Sequence, residues 1–139
     1  MQIRTESIDI QTKGRTDIID ITDEVRTVLN ESGLQEGNAL VFAPGATAGI
    51  TTIEYEPGLL QDYPEFFERI IPSGERYKHD DTWHDGNGHS HVRASLQGSS
   101  FQVPFVGGGL LLGTWQQIIL VDFDNRPRNR KVIIQLMGN

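Results

Sequence analysis

All four histidines of the chain lie within one stretch of thirteen residues, and side chains of this type can bind a metal ion or exchange protons near neutral pH. The four are His79, His84, His89 and His91. Asp80, Asp81 and Asp85 lie among them, and Gly86 and Gly88 let the backbone bend around a bound ion. The segment therefore predicts a divalent-metal or acid–base site. The alternative is a polar loop whose histidines only cap helices and form hydrogen bonds.

The local backbone decides whether His89 and His91 can act together. On an extended strand or loop, the His-x-His spacing lets both imidazoles bind one ion. On a helix the two side chains diverge by about 200°, and only one of them would join His79. The pattern over 88–97 favours a short helix, with a strand as the rival interpretation. His84 is the weakest ligand candidate, because it precedes Asp85 in a segment expected to be exposed.

Other polar residues occur where apolar ones are expected. Glu54 follows a β-branched run, so it is either a general base or metal ligand, or an edge-facing position of a strand. Gln116 interrupts the apolar C-terminal half, and it either reaches the histidines or a ligand amide, or marks a strand edge. Arg126, Arg128 and Arg130 cluster in one turn of an acidic chain, which suits either a phosphate or a solvated turn.

These candidate residues need a scaffold, and apolar periodicity predicts it. Thr22 is the predicted N-cap of a first helix that ends at Ser32-Gly33, and 59–71 and 88–97 are further helices. The segment 75–88 is expected to be an irregular loop. The predicted strands are 3–10 with a bulge near Thr5-Glu6, 37–42, 50–55, 101–106, 110–115, 118–123 and 131–137. The pattern predicts an α+β domain with two or three helices and a largely antiparallel sheet.

Length, charge and composition exclude several classes of protein. A chain of 139 residues fits one domain spanning 1–139. The absence of cysteine excludes disulfides, zinc ribbons and thiol catalysis. A net charge of -7 argues against general nucleic-acid or anionic-membrane binding. No apolar run reaches the length of a membrane span, and no apolar segment of a signal peptide follows Met1. We therefore expect a cytoplasmic protein.

Several motifs occur together, and in combination they are specific. They are Asn87-x-His89-x-His91, Arg93-Ala94-Ser95, Val103-Pro104, Gly113-Thr114-Trp115-Gln116-Gln117 and the turn Arg126-Pro127-Arg128-x-Arg130. The chain resembles the YjbQ-like family in these motifs, and the similarity covers nearly its whole length. Members of that family are known as secondary thiamine-phosphate synthases.

The resemblance implies a compact α+β fold with a closed or sandwich-like mixed sheet, assembled as a homotrimer with a site near the subunit boundaries. Its metal set would be His79, His89 and His91, and its ion a divalent one, with zinc favoured and magnesium as the alternative. The catalytic set implied by the resemblance is Glu54, His79, Asn87 and Gln116. Arg93 and Ser95 become contacts for an anionic substrate, and Arg93 is expected to be functional rather than part of the core.

The reaction that the resemblance implies joins a pyrimidine diphosphate to a thiazole phosphate and releases pyrophosphate. Such chemistry on a small phosphorylated substrate needs a divalent cation and basic groups. The alternatives are a metal-dependent hydrolase and a non-catalytic trimer that binds a metal or small molecule. The chain departs from the family at one point. Where many members carry His-Thr-Thr-Ala, Gly45-Ala46-Thr47-Ala48 follows the proline, so one histidine is missing.

Overall fold

The computed structural model describes all 139 residues, which form eight strands and four helices. The strands are β1 (Gln2–Thr12), β2 (Asp17–Asp20), β3 (Glu36–Phe42), β4 (Ala48–Ile53), β5 (Ser100–Val106), β6 (Gly109–Leu110), β7 (Gln117–Asp122) and β8 (Arg128–Gly138). The helices are α1 (Thr22–Ser32), α2 (Pro57–Ile70), α3 (Lys78–Trp83) and α4 (Gly88–Gln97). The α+β prediction is confirmed. None of the helices has the length and apolarity needed to cross a membrane.

The strands form two antiparallel sheets that enclose the main core. The larger sheet has the order β1-β8-β3-β5-β6, and the smaller has the order β2-β7-β4. Every strand pairing is antiparallel, so the parallel pairs of a mixed sheet are absent. Alternate residues of β3, β5 and β8 pack against β4, β7 and α1 in a cluster of 16 buried residues. This packing confirms the sandwich-like arrangement.

Strand β7 is buried on both of its faces, which explains its continuous apolar sequence. Ile118 and Leu120 belong to the core between the two sheets. Ile119 and Val121 point the other way, into a second cluster that includes Phe67 of α2 and, from α4, a buried alanine. The molecule therefore has three layers, and α2 and α4 form the outer layer over the smaller sheet. This layer carries the histidine segment.

Several sequence predictions about individual elements are wrong. The register of β1 on β8 runs without interruption through Thr5 and Glu6, so β1 has no bulge. Thr22 is the first helical residue of α1 rather than its cap, and its N–H donates to the carboxylate of Asp20 at 3.0 Å. The predicted loop 75–88 contains α3, and the predicted strand 110–115 is reduced to the last residue of β6. Both α3 and β2 are too short to give a periodic pattern.

Two facing glycines allow β3 and β8 to approach each other. Gly37 is paired with Gly138, and a Cβ atom on Gly37 would overlap the carbonyl oxygen of Met137. A Cβ atom on Gly138 would overlap the carbonyl of Glu36 in the same way. These two strands carry much of the main core, so their spacing affects the whole larger sheet.

We expect Gly37→Ala to lower the free energy of unfolding by about 1–3 kcal/mol, because the methyl group must displace the backbone of β8. Urea unfolding followed by circular dichroism measures this change. The matched control is Gly74→Ala, since an added Cβ at that exposed glycine meets no atom within 4 Å. Equal stability of the two variants would show that the larger sheet relaxes around the added methyl group.

Candidate metal centre and adjoining pockets

Helix α4 places His89 and His91 on different sides. The helix spans Gly88–Gln97, as the sequence pattern favoured. The imidazole of His91 stacks on that of His79, with ring centroids 4.2 Å apart. The ring of His89 instead faces Tyr77, with centroids 6.2 Å apart. The helical alternative of the sequence analysis is therefore the one observed, and His91 is the histidine that joins His79.

The closest potential metal ligands around His79 are carboxylates. Its Nδ1 atom lies 3.8 Å from Oδ1 of Asp85 and 4.0 Å from Oδ1 of Asp80. One ligand atom from each of these three residues lies within 4.8 Å of the others. His79 Nδ1 is buried and has no hydrogen-bond partner. An unpartnered imidazole nitrogen facing two carboxylates fits a divalent cation, so we treat His79, Asp80 and Asp85 as the candidate metal centre.

Local hydrogen bonds hold this centre in place. At the start of α3, the N–H of the N-cap residue Tyr77 donates to Oδ2 of Asp80 at 3.3 Å. Oδ1 of Asp80, the oxygen that faces His79, accepts a hydrogen bond from Gly88 N–H at 3.1 Å, which ties α3 to the start of α4. The Asp85 carbonyl accepts a hydrogen bond from the Asn125 amide at 2.8 Å, and the Asp85 carboxylate stays free. Asp85 is therefore the member best able to bind an ion.

His91 is a neutral imidazole next to this centre. Burial lowers its pKa below the ordinary value, and the neighbouring His79 lowers it further. Its imidazole is therefore unprotonated at pH 7 and can accept a proton. His91 also lines a pocket of about 230 Å³ with Ser95, which lies one turn further along α4, and with small residues that include Gly45 and Ala46.

Gly45 and Ala46, where the resemblance leads us to expect a histidine and a threonine, line this pocket. A Cβ atom on Gly45 would lie 3.2 Å from Nη1 of Arg130. Arg130 donates through Nε and Nη2 to Asp122 and Thr47, and Nη1 donates no hydrogen bond within the protein. The small residues at positions 45 and 46 therefore leave space beside His91, and Nη1 of Arg130 is left without a side chain packed on it or a hydrogen-bond partner.

A buried ionic cluster lies next to the start of α4, and only its basic half was predicted from the sequence. Asp122 and Asp124 have no exposed surface. Arg130 donates to both oxygens of Asp122, at 2.7 and 2.8 Å, and Arg128 contacts Asp124 at 2.8 Å. Arg128 and Arg130 are thus internal partners rather than a solvated turn, and only Arg126 is exposed without a partner. The available signal was two aspartates at the end of an apolar strand, followed by arginines at similar spacing.

Asn87 links the ionic cluster to the site. It immediately precedes α4 and is 5% exposed. Its amide Nδ2 donates to Asp124 Oδ1 at 3.2 Å, while its Oδ1 atom is buried without a hydrogen-bond partner. Burial alone would raise the pKa of Asp124, but hydrogen bonds from Asn125 N–H, Asn87, Arg128 and Thr47 outweigh it and lower the pKa to about 2. Asp124 is therefore a permanent anion at neutral pH.

Arg93 differs from its sequence-based expectation. It is 4% exposed, and its Nε and Nη2 donate to the carbonyl of Ile71 at 3.0 and 2.7 Å. Nη1 donates to Thr16 Oγ1 at 3.1 Å, and Nη2 pairs with Glu68 at 2.7 Å. The expectation that Arg93 lies outside the core is wrong, because it joins the end of α2 to the segment before β2. Ser95 lies beside His91 and Arg93 beside His89, so the two predicted anion contacts line different pockets.

Glu54 and Gln116 lie far from the histidines within one chain. Glu54 follows β4 and Gln116 precedes β7, so both lie at the end of the strand pair where Ile53 is opposite Gln117. The His91 pocket includes Ala48, at the opposite end of β4. Five residues of extended strand separate these ends by roughly 17 Å. Glu54 is exposed, and Gln116 donates to Thr52 Oγ1 at 3.2 Å and accepts from Gly113 N–H at 3.0 Å. His84 is exposed in a left-handed conformation that ends α3.

Comparison with known proteins gives a consistent match over almost the full chain. The family model described as UPF0047 protein YjbQ-like matches residues 6–139. A UPF0047 protein of Archaeoglobus fulgidus is 41% identical over 130 residues, which cover 94% of this chain and 98% of that protein. The UPF0047 protein YugU of Bacillus subtilis is 38% identical over 135 residues, which cover 96% and 98% of the two chains.

Solved structures show the same fold. A hypothetical protein from Aeropyrum pernix K1 matches with a TM-score of 0.91 and 34% identity, covering 98% of this chain and 99% of that one. An uncharacterised conserved protein of the YjbQ/UPF0047 family from Clostridium acetobutylicum matches with a TM-score of 0.87 and 39% identity, covering 95% and 99%.

The depressed pKa of Asp124 predicts a loss of stability in acid. A carboxyl whose folded pKa is about 2 stabilises the folded state fully above the unfolded value near 4, and this contribution disappears as the pH falls towards 2. The expected loss is about 2 kcal/mol. Urea unfolding at several pH values between 2 and 6 measures it. The stability difference between wild type and Asp124→Asn should shrink by this amount across that interval.

The control for acid unfolding is Asp62→Asn, which removes an exposed carboxyl from α2. This variant should follow the wild-type pH profile. A stability difference between wild type and Asp124→Asn that stays constant from pH 6 to pH 2 would contradict the assigned role of Asp124.

Proposed function

The chain belongs to the YjbQ-like UPF0047 family, and on this premise we propose that it is a metal-assisted enzyme acting on a small phosphorylated substrate. The observation that carries the proposal is the buried, unpartnered Nδ1 atom of His79, which faces the carboxylates of Asp80 and Asp85 while His91 stacks on the same ring. His79, Asp80 and Asp85 would hold the ion. His91 would move a proton beside it.

The donor set is compatible with zinc, which binds imidazole and carboxylate ligands, and magnesium is the alternative. Such an ion stabilises negative charge that develops on a phosphoryl or diphosphate leaving group. His91 is neutral at pH 7 because burial lowers its pKa, so it can accept a proton from a nucleophile. Asn87 presents a buried amide oxygen from the start of the same helix.

The pocket beside His91 is proposed to take the reacting part of the substrate. Its volume of about 230 Å³ suits a small ring or a phosphate group. Ser95 supplies a hydrogen-bond donor in the pocket wall, and small residues at 45 and 46 supply space. Nη1 of Arg130 lies behind Gly45, 3.2 Å from where a Cβ atom on that glycine would be. The specific reaction we propose is the one that the family resemblance implies, in which a pyrimidine diphosphate joins a thiazole phosphate and pyrophosphate leaves.

The first test compares metal content and activity in two histidine variants. His79→Ala should weaken zinc binding by more than about 100-fold, because removal of a mere hydrogen-bonding partner of a ligand already costs 10–100-fold. The matched control is His84→Asn, which removes an exposed histidine of the same segment and keeps a residue that tolerates the left-handed conformation. Elemental analysis of dialysed protein measures occupancy.

Activity separates the possible reactions. Wild-type protein loaded with zinc or magnesium should form thiamine phosphate and pyrophosphate from the two substrates, and His91→Ala should lose this activity. Release of inorganic phosphate without the joined product would identify a hydrolase instead. Equal metal occupancy in His79→Ala and in the His84→Asn control would contradict the proposed metal centre.

We also propose the homotrimer that the resemblance implies, and exposed apolar side chains support it. Val92 and Leu96 lie one turn apart on the outer face of α4 and are 46% and 60% exposed. Trp83 and Trp115 are also largely exposed, and β1 forms an open sheet edge of 11 residues. An edge of this length is normally covered.

Light scattering coupled to gel filtration should give about three times the chain mass of 15.6 kDa at micromolar concentration. Leu96→Asp should shift the mass towards that of one chain, because it introduces a charge into the proposed interface. Gln61→Asp, at an exposed position of α2, serves as its control. A wild-type protein that stays at 15.6 kDa would contradict the trimer.

A further inference from the structure

A second pocket lies on the His89 side of α4, and nothing in the proposed reaction uses it. Its volume is about 360 Å³, and its walls come from the segment before β2, the second half of α2, Ser73, the first turns of α4 and Asn125. We propose that this pocket binds a small oxyanion, a phosphate or a carboxylate, through Arg15, Thr16 and His89. The proposal does not depend on the metal centre.

Arg15 is the cation of the pocket that is free to pair with a ligand, because the other lining arginine is already paired. Arg93 and Glu68 pair at 2.7 Å, and the other oxygen of Glu68 accepts from both the N–H and the hydroxyl of Ser73 at 3.0 Å. This pair is therefore internally compensated. Arg15 is exposed and forms no ion pair or side-chain hydrogen bond. Glu65 is exposed without a partner, so it is the one lining group expected to oppose an anion.

The backbone that carries Arg15 is held in an unfavourable conformation. Three successive residues have positive φ, with 78° at Gly14, 58° at Arg15 and 62° at Thr16. Arg15 N–H donates to the carbonyl of Asp124 at 2.6 Å, and Gly14 packs so closely on the 124–126 turn that a Cβ atom would overlap its carbonyls. Side-chain-bearing residues held in such conformations concentrate at ligand sites. Here the conformation places Arg15 and Thr16 on the pocket wall.

The interior of the pocket supplies further donors. Thr16 is buried, and its oxygen already accepts from Arg93, so its hydroxyl hydrogen is free to donate to a ligand. His89 is 8% exposed, and its only polar contact is a long one of 3.5 Å to Ser90 Oγ. One of its ring nitrogens can therefore meet a ligand. A charged donor with two neutral donors suits one oxyanion rather than an extended polyphosphate, which the unpaired Glu65 would repel.

The test is calorimetric titration of inorganic phosphate and of acetate into the full-length protein in the presence of a chelator. Arg15→Asn should weaken binding at least tenfold, and asparagine tolerates the left-handed conformation, so the fold should persist by circular dichroism. Arg126→Asn is the matched control, because Arg126 is exposed, lacks a partner and carries the same charge nearby. Glu65→Gln should strengthen binding of phosphate severalfold.

The outcomes are distinct from those for the metal centre. His91→Ala should bind the anion as wild type does, even if it loses activity. Phosphate binding stronger than acetate binding identifies a phosphorylated ligand, and the reverse order identifies a carboxylate. The proposal is overturned if neither anion binds wild type at millimolar concentration. It is also overturned if Arg126→Asn loses as much affinity as Arg15→Asn, since the attraction would then be general.

Discussion

The buried pairing of Asp122 and Asp124 with Arg128 and Arg130 is the constraint on which the site depends. Removing one partner from such a cluster leaves an uncompensated buried charge and typically costs about 3–5 kcal/mol. The cluster also binds segments that are distant in sequence. Thr12 at the end of β1, Thr47 before β4 and Asn87 before α4 all bond to its carboxylates. The end of β1, the segment before β4, the start of α4 and the β7–β8 turn therefore meet at this cluster.

This convergence explains why α4 presents two different environments. Asn87 fixes the beginning of α4 on Asp124, and Gly98 at its end accepts a hydrogen bond from Ile50 N–H of β4. A helix anchored at both ends cannot rotate, so His91 stays against His79 while His89 stays against the other pocket. The separation of the two pockets is a consequence of helical geometry together with this anchoring.

Elements with strong periodicity were predicted correctly from the sequence. The roles of side chains whose partners are distant in sequence were not. The bounds of α4 and the run of β7 follow from local pattern, and the histidine cluster follows from residue type. The assignment of Arg128 and Arg130 could not follow, because their partners became apparent only once β7 and β8 were placed. The burial of Arg93 was not predicted for the same reason, since the Ile71 carbonyl that it binds lies 22 residues away in the sequence.

The glycine at position 45 leaves space in the His91 pocket without disturbing the ionic cluster next to it. Arg130 remains bonded to Asp122 and Thr47, so the ionic cluster keeps its partners. A side chain at position 45 would extend towards the free Nη1 atom and fill space beside His91. With glycine there, that nitrogen keeps no hydrogen-bond partner within the protein. In a chain of net charge -7, the phosphorylated substrate that we propose would depend on such short-range donors, because the long-range field repels an anion.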